Sequence, residues 1–195
     1  MIKKRHRFLL LSLLAVWLGL ASVAARAAGN ETRYELTEHA FVVPEVTLLS
    51  QDRVEVRLDE FVESDKPVML DFIFGTCTTI CPVLSAGYSN LQRKLPEASD
   101  KVRLVSISID PEHDTPEVMK KYLERYRAQP GWDFFTGSRK DIDAVMRAFD
   151  SFVPDKMSHR PVMFLRAPGS DTWIRINGLV GTRDLMAEYE KLLEE

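Results

Sequence analysis

Val68-Met69-Leu70-Asp71-Phe72-Ile73-Phe74 runs directly into Gly75-Thr76-Cys77-Thr78-Thr79-Ile80-Cys81-Pro82. The first seven residues form a nearly continuous apolar run, the pattern of a central strand covered on both faces. A helix is predicted to follow over residues 79–95. Pro82 suits its first turn, where a missing N–H has no helical partner in any case. Cys77 therefore ends the strand-to-helix loop, and Cys81 falls in the first helical turn. The chain has no other cysteine. A helix N-terminus carries partial positive charge and free N–H groups, which favour thiolate. Both nucleophilic exchange and metal binding use the thiolate, so this location suits either.

Working outward, residues 46–49 and 54–58 read as a hairpin across Ser50-Gln51-Asp52-Arg53. Residues 102–109 form a second central strand, ending at Asp110-Pro111. Thr115 is positioned to cap a helix with Pro116 at its first position, running to about Arg127. A short strand over 132–135 precedes a helix over 138–149, which sets Ile142, Val145, Met146 and Phe149 on one face. Strands at 162–165 and 173–176 pair as a hairpin, and a last helix covers 182–193. Strands alternating with helices, then a closing hairpin and helix, predict an α/β sandwich around a mixed sheet. The order fits a thioredoxin-like fold with an N-terminal β-hairpin extension and an inserted strand and helix.

Residues 1–27 read as a secretory signal peptide: Lys3, Lys4, Arg5 and Arg7 precede an apolar run over 8–20, and Ala25-Arg26-Ala27 offers a cleavage pattern. The apolar run is short for a membrane span, which needs about 20 residues; an uncleaved N-terminal anchor is the alternative. Residues 28–195 are then one domain with a substantial core. Removing the segment takes away five basic and no acidic residues and moves the net charge from −3 to −8. That balance excludes nucleic acid as a partner, since phosphate binding needs clustered Lys and Arg. The expected location is the periplasm, with the inner membrane as the attachment site if the anchor stays.

The four-residue spacing of the cysteines leaves three chemistries open. Helical positions four apart have Cβ atoms about 5–6 Å apart, and a relaxed disulfide wants roughly 3.5–4.5 Å. Closing the pair requires the Cys77 loop to bend inward, and residual strain would make the bond easier to reduce. The same separation leaves room for a metal ion between the sulfurs. A structural disulfide is the third reading, but so short a ring constrains little of the unfolded chain.

The chain resembles the SCO/SenC family, exported thioredoxin-like proteins linked to copper delivery for cytochrome c oxidase. The resemblance rests on Phe72-Ile73-Phe74, Cys77-Thr78-Thr79-Ile80-Cys81-Pro82, Val105-Ser106-Ile107-Ser108-Ile109-Asp110-Pro111 with Asp114-Thr115-Pro116, Phe135-Thr136-Gly137-Ser138, and His159 just before a strand. It covers roughly residues 41–193. It implies copper bound by Cys77, Cys81 and His159, a set soft enough for Cu(I) and able to hold Cu(II). It also implies a partner: a copper-site subunit of cytochrome c oxidase, or another periplasmic copper or thiol protein, met as a monomer. Many members carry Cys-Pro-Asp-Val-Cys; here Thr78 and Thr79 replace the Pro and Asp, removing an acidic group beside the site. The stretch 149–159 is also short for the family.

Pro161 stands where thioredoxin-like proteins place a cis-proline facing the cysteines. A cis bond there would pack the His159 loop against the Cys77 loop. Met157 reads as a core or surface residue, His39 as solvated, and His113 as part of a capped turn with Asp110, Glu112 and Asp114. Asp71 is expected to make a strand-end hydrogen bond, and Trp132 and Trp173 to pack at strand edges. The alternative function is a thiol–disulfide oxidoreductase, in which Cys77 attacks, Cys81 resolves the mixed disulfide and His159 tunes the thiolate.

Overall fold

A computed structural model describes residues 34–95 and 97–194. The predicted signal segment and its cleavage point lie outside the described residues. The strands are β1 (Tyr34–His39), β2 (Thr47–Ser50), β3 (Glu55–Arg57), β4 (Val68–Ile73), β5 (Arg103–Ser108), β6 (Trp132–Thr136), β7 (Val162–Arg166) and β8 (Trp173–Gly178). They form one open sheet in the order β1-β8-β7-β4-β5-β6-β2-β3. The helices are α1 (Leu58–Val62), α2 (Cys81–Lys94), α3 (Ala98–Lys101), α4 (Pro116–Arg125), α5 (Arg139–Ala148) and α6 (Thr182–Lys191), with a 3-10 turn at Lys156–Ser158. The sheet is mixed: β4, β5 and β6 run parallel, and the other pairings are antiparallel. This is the expected α/β, thioredoxin-like architecture, with the β2–β3 hairpin added at one edge.

All six residues of β4 are buried, as a strand covered on both faces must be. Successive side chains point to opposite faces. Phe72 enters an edge-on aromatic cluster with Phe149, which follows α5, and Phe164 of β7, at 6.0 and 5.8 Å between ring centroids. Asp71 faces the other way, towards Tyr88 and Cys81 of α2. Helix α2 is joined to α4 by the Ser85 and Tyr122 hydroxyls, 2.7 Å apart, and to α6 by Asn90 Nδ2 donating to Thr182 Oγ1 at 2.9 Å. Thr115 caps α4 by accepting from the Val118 N–H, with Pro116 at the first position. Such a cap contributes about 1 kcal/mol.

Several expectations need correction. Strand β1, for which the sequence offered no prediction, pairs with β8 over its whole length with only Tyr34 and Leu36 as alternating apolar residues. Backbone pairing at an edge, with one side open to water, does not require a fuller pattern. The predicted strand 54–58 stops at Arg57, because Leu58 and Val62, four apart, bury together as α1, with Asp59 and Glu60 in its first turn. Trp132 and Trp173 are core residues, 2% and 1% exposed. Trp132 Nε1 donates to Ser106 Oγ at 3.0 Å, and Trp173 meets Phe149 edge-on at 5.1 Å. Among the described residues, no helix is long and apolar enough to cross a membrane.

Candidate thiol and metal site

The end of β4 and the start of α2 bring the cysteines together. Cys77 N donates to Phe74 O at 3.1 Å, which curls the loop back towards the strand end. Cys77 is half-buried and Cys81 fully buried, and both are free thiols. Burial works against ionisation of Cys77, but the Cys81 thiol, the Cys81 and Thr79 backbone and the Thr79 hydroxyl (Sγ–Oγ1 3.7 Å) outweigh it and bring the thiol down to about 7. Cys81 moves the opposite way. Burial raises it well above the ordinary thiol range, and the neighbouring Cys77 and Asp71 add to that. Ile80, not a threonine, occupies the N-cap position of α2, without a side-chain cap. The Thr79 hydroxyl instead lies against the Cys77 sulfur.

Asp71 does not make the expected strand-end bond. It sits mid-strand with no exposure, and among the described residues neither carboxylate oxygen has a hydrogen-bond partner. Burial pushes it up to about 7, opposed only in part by Ser106, its register partner on β5. The Tyr88 hydroxyl above it is likewise buried and unpartnered.

His159 closes the 3-10 turn, its N–H donating to Lys156 O at 3.2 Å. The residue is 9% exposed and borders a cleft of about 640 Å³ with Phe152, Ser158, Arg160 and Arg175. Both ring nitrogens are buried, and neither has a partner among the described residues. Burial lowers the imidazole to about 4, so it is neutral near pH 7 with a free lone pair. The bond before Pro161 is trans, since no cis peptide occurs among the described residues. Pro161 O instead accepts from Gly178 N at 3.0 Å and extends the β7–β8 ladder. Contact between the His159 and Cys77 loops comes by another route: the Lys156 ammonium stands 5.3 Å from the centre of the Phe74 ring.

The structure thus pairs Cys77 with Cys81 but does not close His159 onto them. Among the described residues, no three His, Cys, Asp or Glu side chains are gathered tightly enough to hold a metal ion. Met157 is 72% exposed beside His159, on the surface side of its two expected places. His39 stacks on Phe41 at 4.7 Å and bonds to Thr37, so it is only partly solvated. His113 meets Asp110 in the expected turn.

Comparison with known proteins places the chain. Residues 35–194 match the family model described as SCO1/SenC. The chain belongs to the SCO1/SenC family. It is 32% identical over 150 residues to the SCO1 protein homolog of Bacillus subtilis (strain 168), covering 73% of this chain and 77% of that protein. BsSco, in which a disulfide switch was identified, aligns with a TM-score of 0.64 and 30% identity over 78% of this chain and 93% of its own. It is described as a member of the Sco family of cytochrome c oxidase assembly proteins. Bradyrhizobium japonicum ScoI, solved with copper bound, shares the fold at a TM-score of 0.64 and 23% identity, over 77% of this chain and 99% of its own.

Sequence reasoning on this SCO domain missed two features around the site. Asp71 was visible as a carboxylate in an apolar run, but its lack of a partner was not. The joining of Asp110 to Lys156, and of Asp114 to Gly75, spans 46 and 39 residues. No local spacing signals pairs so distant.

Proposed function

We propose that this domain is an exported copper-binding protein that takes copper through Cys77, Cys81 and His159 and passes it to a copper-site subunit of cytochrome c oxidase. Residues 1–27 serve as the export segment in this reading. The observation that carries it is the His159 ring: buried, neutral, and with two nitrogens that no group among the described residues engages. Leaving such a group unpaired costs about 1–3 kcal/mol, which a metal ion would offset. Two thiolates and an imidazole suit Cu(I). A set of only three ligands, one of them on a separate loop, can release its ion by ligand exchange. Copper is cargo here, so a site that closes on it and reopens fits the task.

The test is anaerobic titration of the reduced protein with Cu(I), beside Cys77→Ser, Cys81→Ser and His159→Ala. One tight equivalent, weakened in all three variants, supports the reading; absence of tight copper in the wild type defeats it.

The opposed thiols favour a second reading, a thiol–disulfide oxidoreductase. Cys77 thiolate would attack a target disulfide, forming a mixed disulfide and releasing one target thiolate. Cys81, after losing its proton, would attack the Cys77 sulfur, leaving a Cys77–Cys81 disulfide and a reduced target. Rapid exchange with a model disulfide, without tight copper, selects this outcome.

A further inference from the structure

The turn after β5 touches both loops that carry the candidate ligands. Asp114, with no exposure, accepts from Gly75 N at 3.1 Å with each carboxylate oxygen, and from Ser108 Oγ. Gly75 lies two residues before Cys77. Four residues back on the same turn, Asp110 is 4% exposed and is ion-paired through Oδ2 with the Lys156 ammonium. Its Oδ1 lies 2.9 Å from His113 Nδ1, and its backbone N–H donates to Ser108 Oγ at 3.0 Å. Lys156 opens the 3-10 turn that His159 closes.

That turn is short and internally tied. Asp155 Oδ1 accepts from Met157 N at 2.9 Å, Asp155 O from Ser158 N at 2.9 Å, and Lys156 O from His159 N. A constraint on Lys156 therefore reaches His159 through one turn of backbone. The nearby Arg139 is engaged elsewhere, with Glu112, Asp143 and Ile109 O. Lys156 also lies against Phe74, whose carbonyl accepts from Cys77 N. One side chain thus connects the histidine loop both to the Asp110 turn and to the base of the thiol loop.

We propose that Lys156 is a positioning residue for metal capture: its clamp on Asp110 and Phe74 sets where the His159 ring stands relative to Cys77 and Cys81. The proposal deepens the copper reading and rests on it. Groups that orient metal ligands from outside the coordination sphere change affinity by about 10–100-fold when removed. A loop clamp one turn from the ligand belongs at the lower end of that range.

The test uses Lys156→Met, which keeps the aliphatic stem beside Phe74 and loses the charge, and Lys156→Arg, which keeps the charge. Cu(I) affinity is measured by competition with a chromophoric chelator. Lys156→Met is expected to weaken binding about tenfold, and Lys156→Arg to recover most of it. In a His159→Ala background, Lys156→Met should cost little more, because the ligand it places is already gone. Equal losses in both backgrounds, or unchanged affinity, overturn the proposal. A copper-free readout separates it from the reading it rests on. Amide hydrogen exchange at residues 156–160 should quicken in Lys156→Met and return in Lys156→Arg. Unchanged exchange there sinks the clamp even if copper binds; quickened exchange in a protein without tight copper keeps the clamp but overturns the copper reading and, with it, the role in metal capture. Should Lys156→Met fold poorly, Asp110→Asn breaks the same pair from the other side and is read in the same two ways.

Discussion

Cys77 and Cys81 carry the same functional group four residues apart, and their surroundings push the two thiols in opposite directions. The half-buried one is met by hydrogen bonds from Cys81 and Thr79 and falls to about 7. The buried one has its neighbour's charge and that of Asp71 against it, on top of desolvation, and rises. In both proposed readings Cys77 would be the thiol that meets a partner or a metal first, and Cys81 the one that ionises only after its surroundings change.

Alkylation resolves this directly. Half-maximal iodoacetamide reactivity of Cys77 is expected near pH 7, against about 8.5 for a free cysteine, with Cys81 unreactive throughout. Mass spectrometry of Cys81→Ser and Cys77→Ser assigns the sites. Because the neighbouring Cys81 thiol helps to lower Cys77, Cys81→Ala should shift the Cys77 profile to higher pH. A profile unmoved by that change would assign the effect to the backbone and Thr79 alone.

Asp71 gives an opposite pH signature to that of an ordinary paired carboxylate. Its folded value, about 7, lies above the usual 3.8, so the folded protein holds the proton more tightly. Its stabilising influence is complete below about pH 4 and is lost as pH rises through 7. Asp71→Asn should therefore stabilise the protein at pH 8 by a few kcal/mol at most, on the order set by 1.36 kcal/mol per pKa unit, and far less at pH 4. Urea denaturation at the two pH values checks the sign. A variant equally stabilising at both would mean the carboxylate is not protonated in the fold.

His159 works the other way. Its folded value, about 4, lies below the ordinary 6.5, so the unfolded chain binds the proton more tightly. Stability is complete above about pH 6.5 and is lost as pH falls towards 4. The two windows overlap, so the wild-type profile near pH 5 hides both. His159→Gln should flatten the acid limb and uncover the Asp71 slope. NMR titration of the ring should give no protonation above pH 5 in the metal-free protein; a normal value near 6.5 would mean the ring is not buried.

The sequence carried the succession of strands and helices along the chain and the thiol pair because both are local. The apolar run ending at Phe74 and the cap at Thr115 can be read within a few residues. Edge strand β1 was not legible, since backbone pairing with β8 needs no side-chain pattern. Helix α1 was hidden inside a strand-like stretch whose last residue, Leu58, turns inward with Val62. His159 was identified by resemblance, but its separation from the sulfurs and the trans bond before Pro161 are tertiary facts. The links from the Asp110 turn to Lys156 and to Gly75 lie beyond any periodicity, because each joins residues dozens of positions apart.

Gly75 is a point where the thiol loop is hydrogen-bonded to that turn. A Cβ there would stand 2.7 Å from Asp114 Oδ1 and 3.3 Å from Val118 Cγ1. Asp114 cannot simply swing aside, because Ser108 Oγ and the Gly75 N–H itself hold its oxygens. Gly75→Ala is therefore expected to cost about 1–3 kcal/mol, the usual range for overpacking, rather than to gain from a less flexible unfolded chain. The displaced loop should also slow or accelerate Cys77 alkylation at fixed pH, a change that a remote destabilising substitution would not produce. Repeating the change in an Asp114→Ala background removes the obstructing carboxylate. The added cost of Gly75→Ala should then shrink, and denaturation of the four proteins measures it. An undiminished cost would place the obstruction at Val118, and the carboxylate would lose its part in holding the loop.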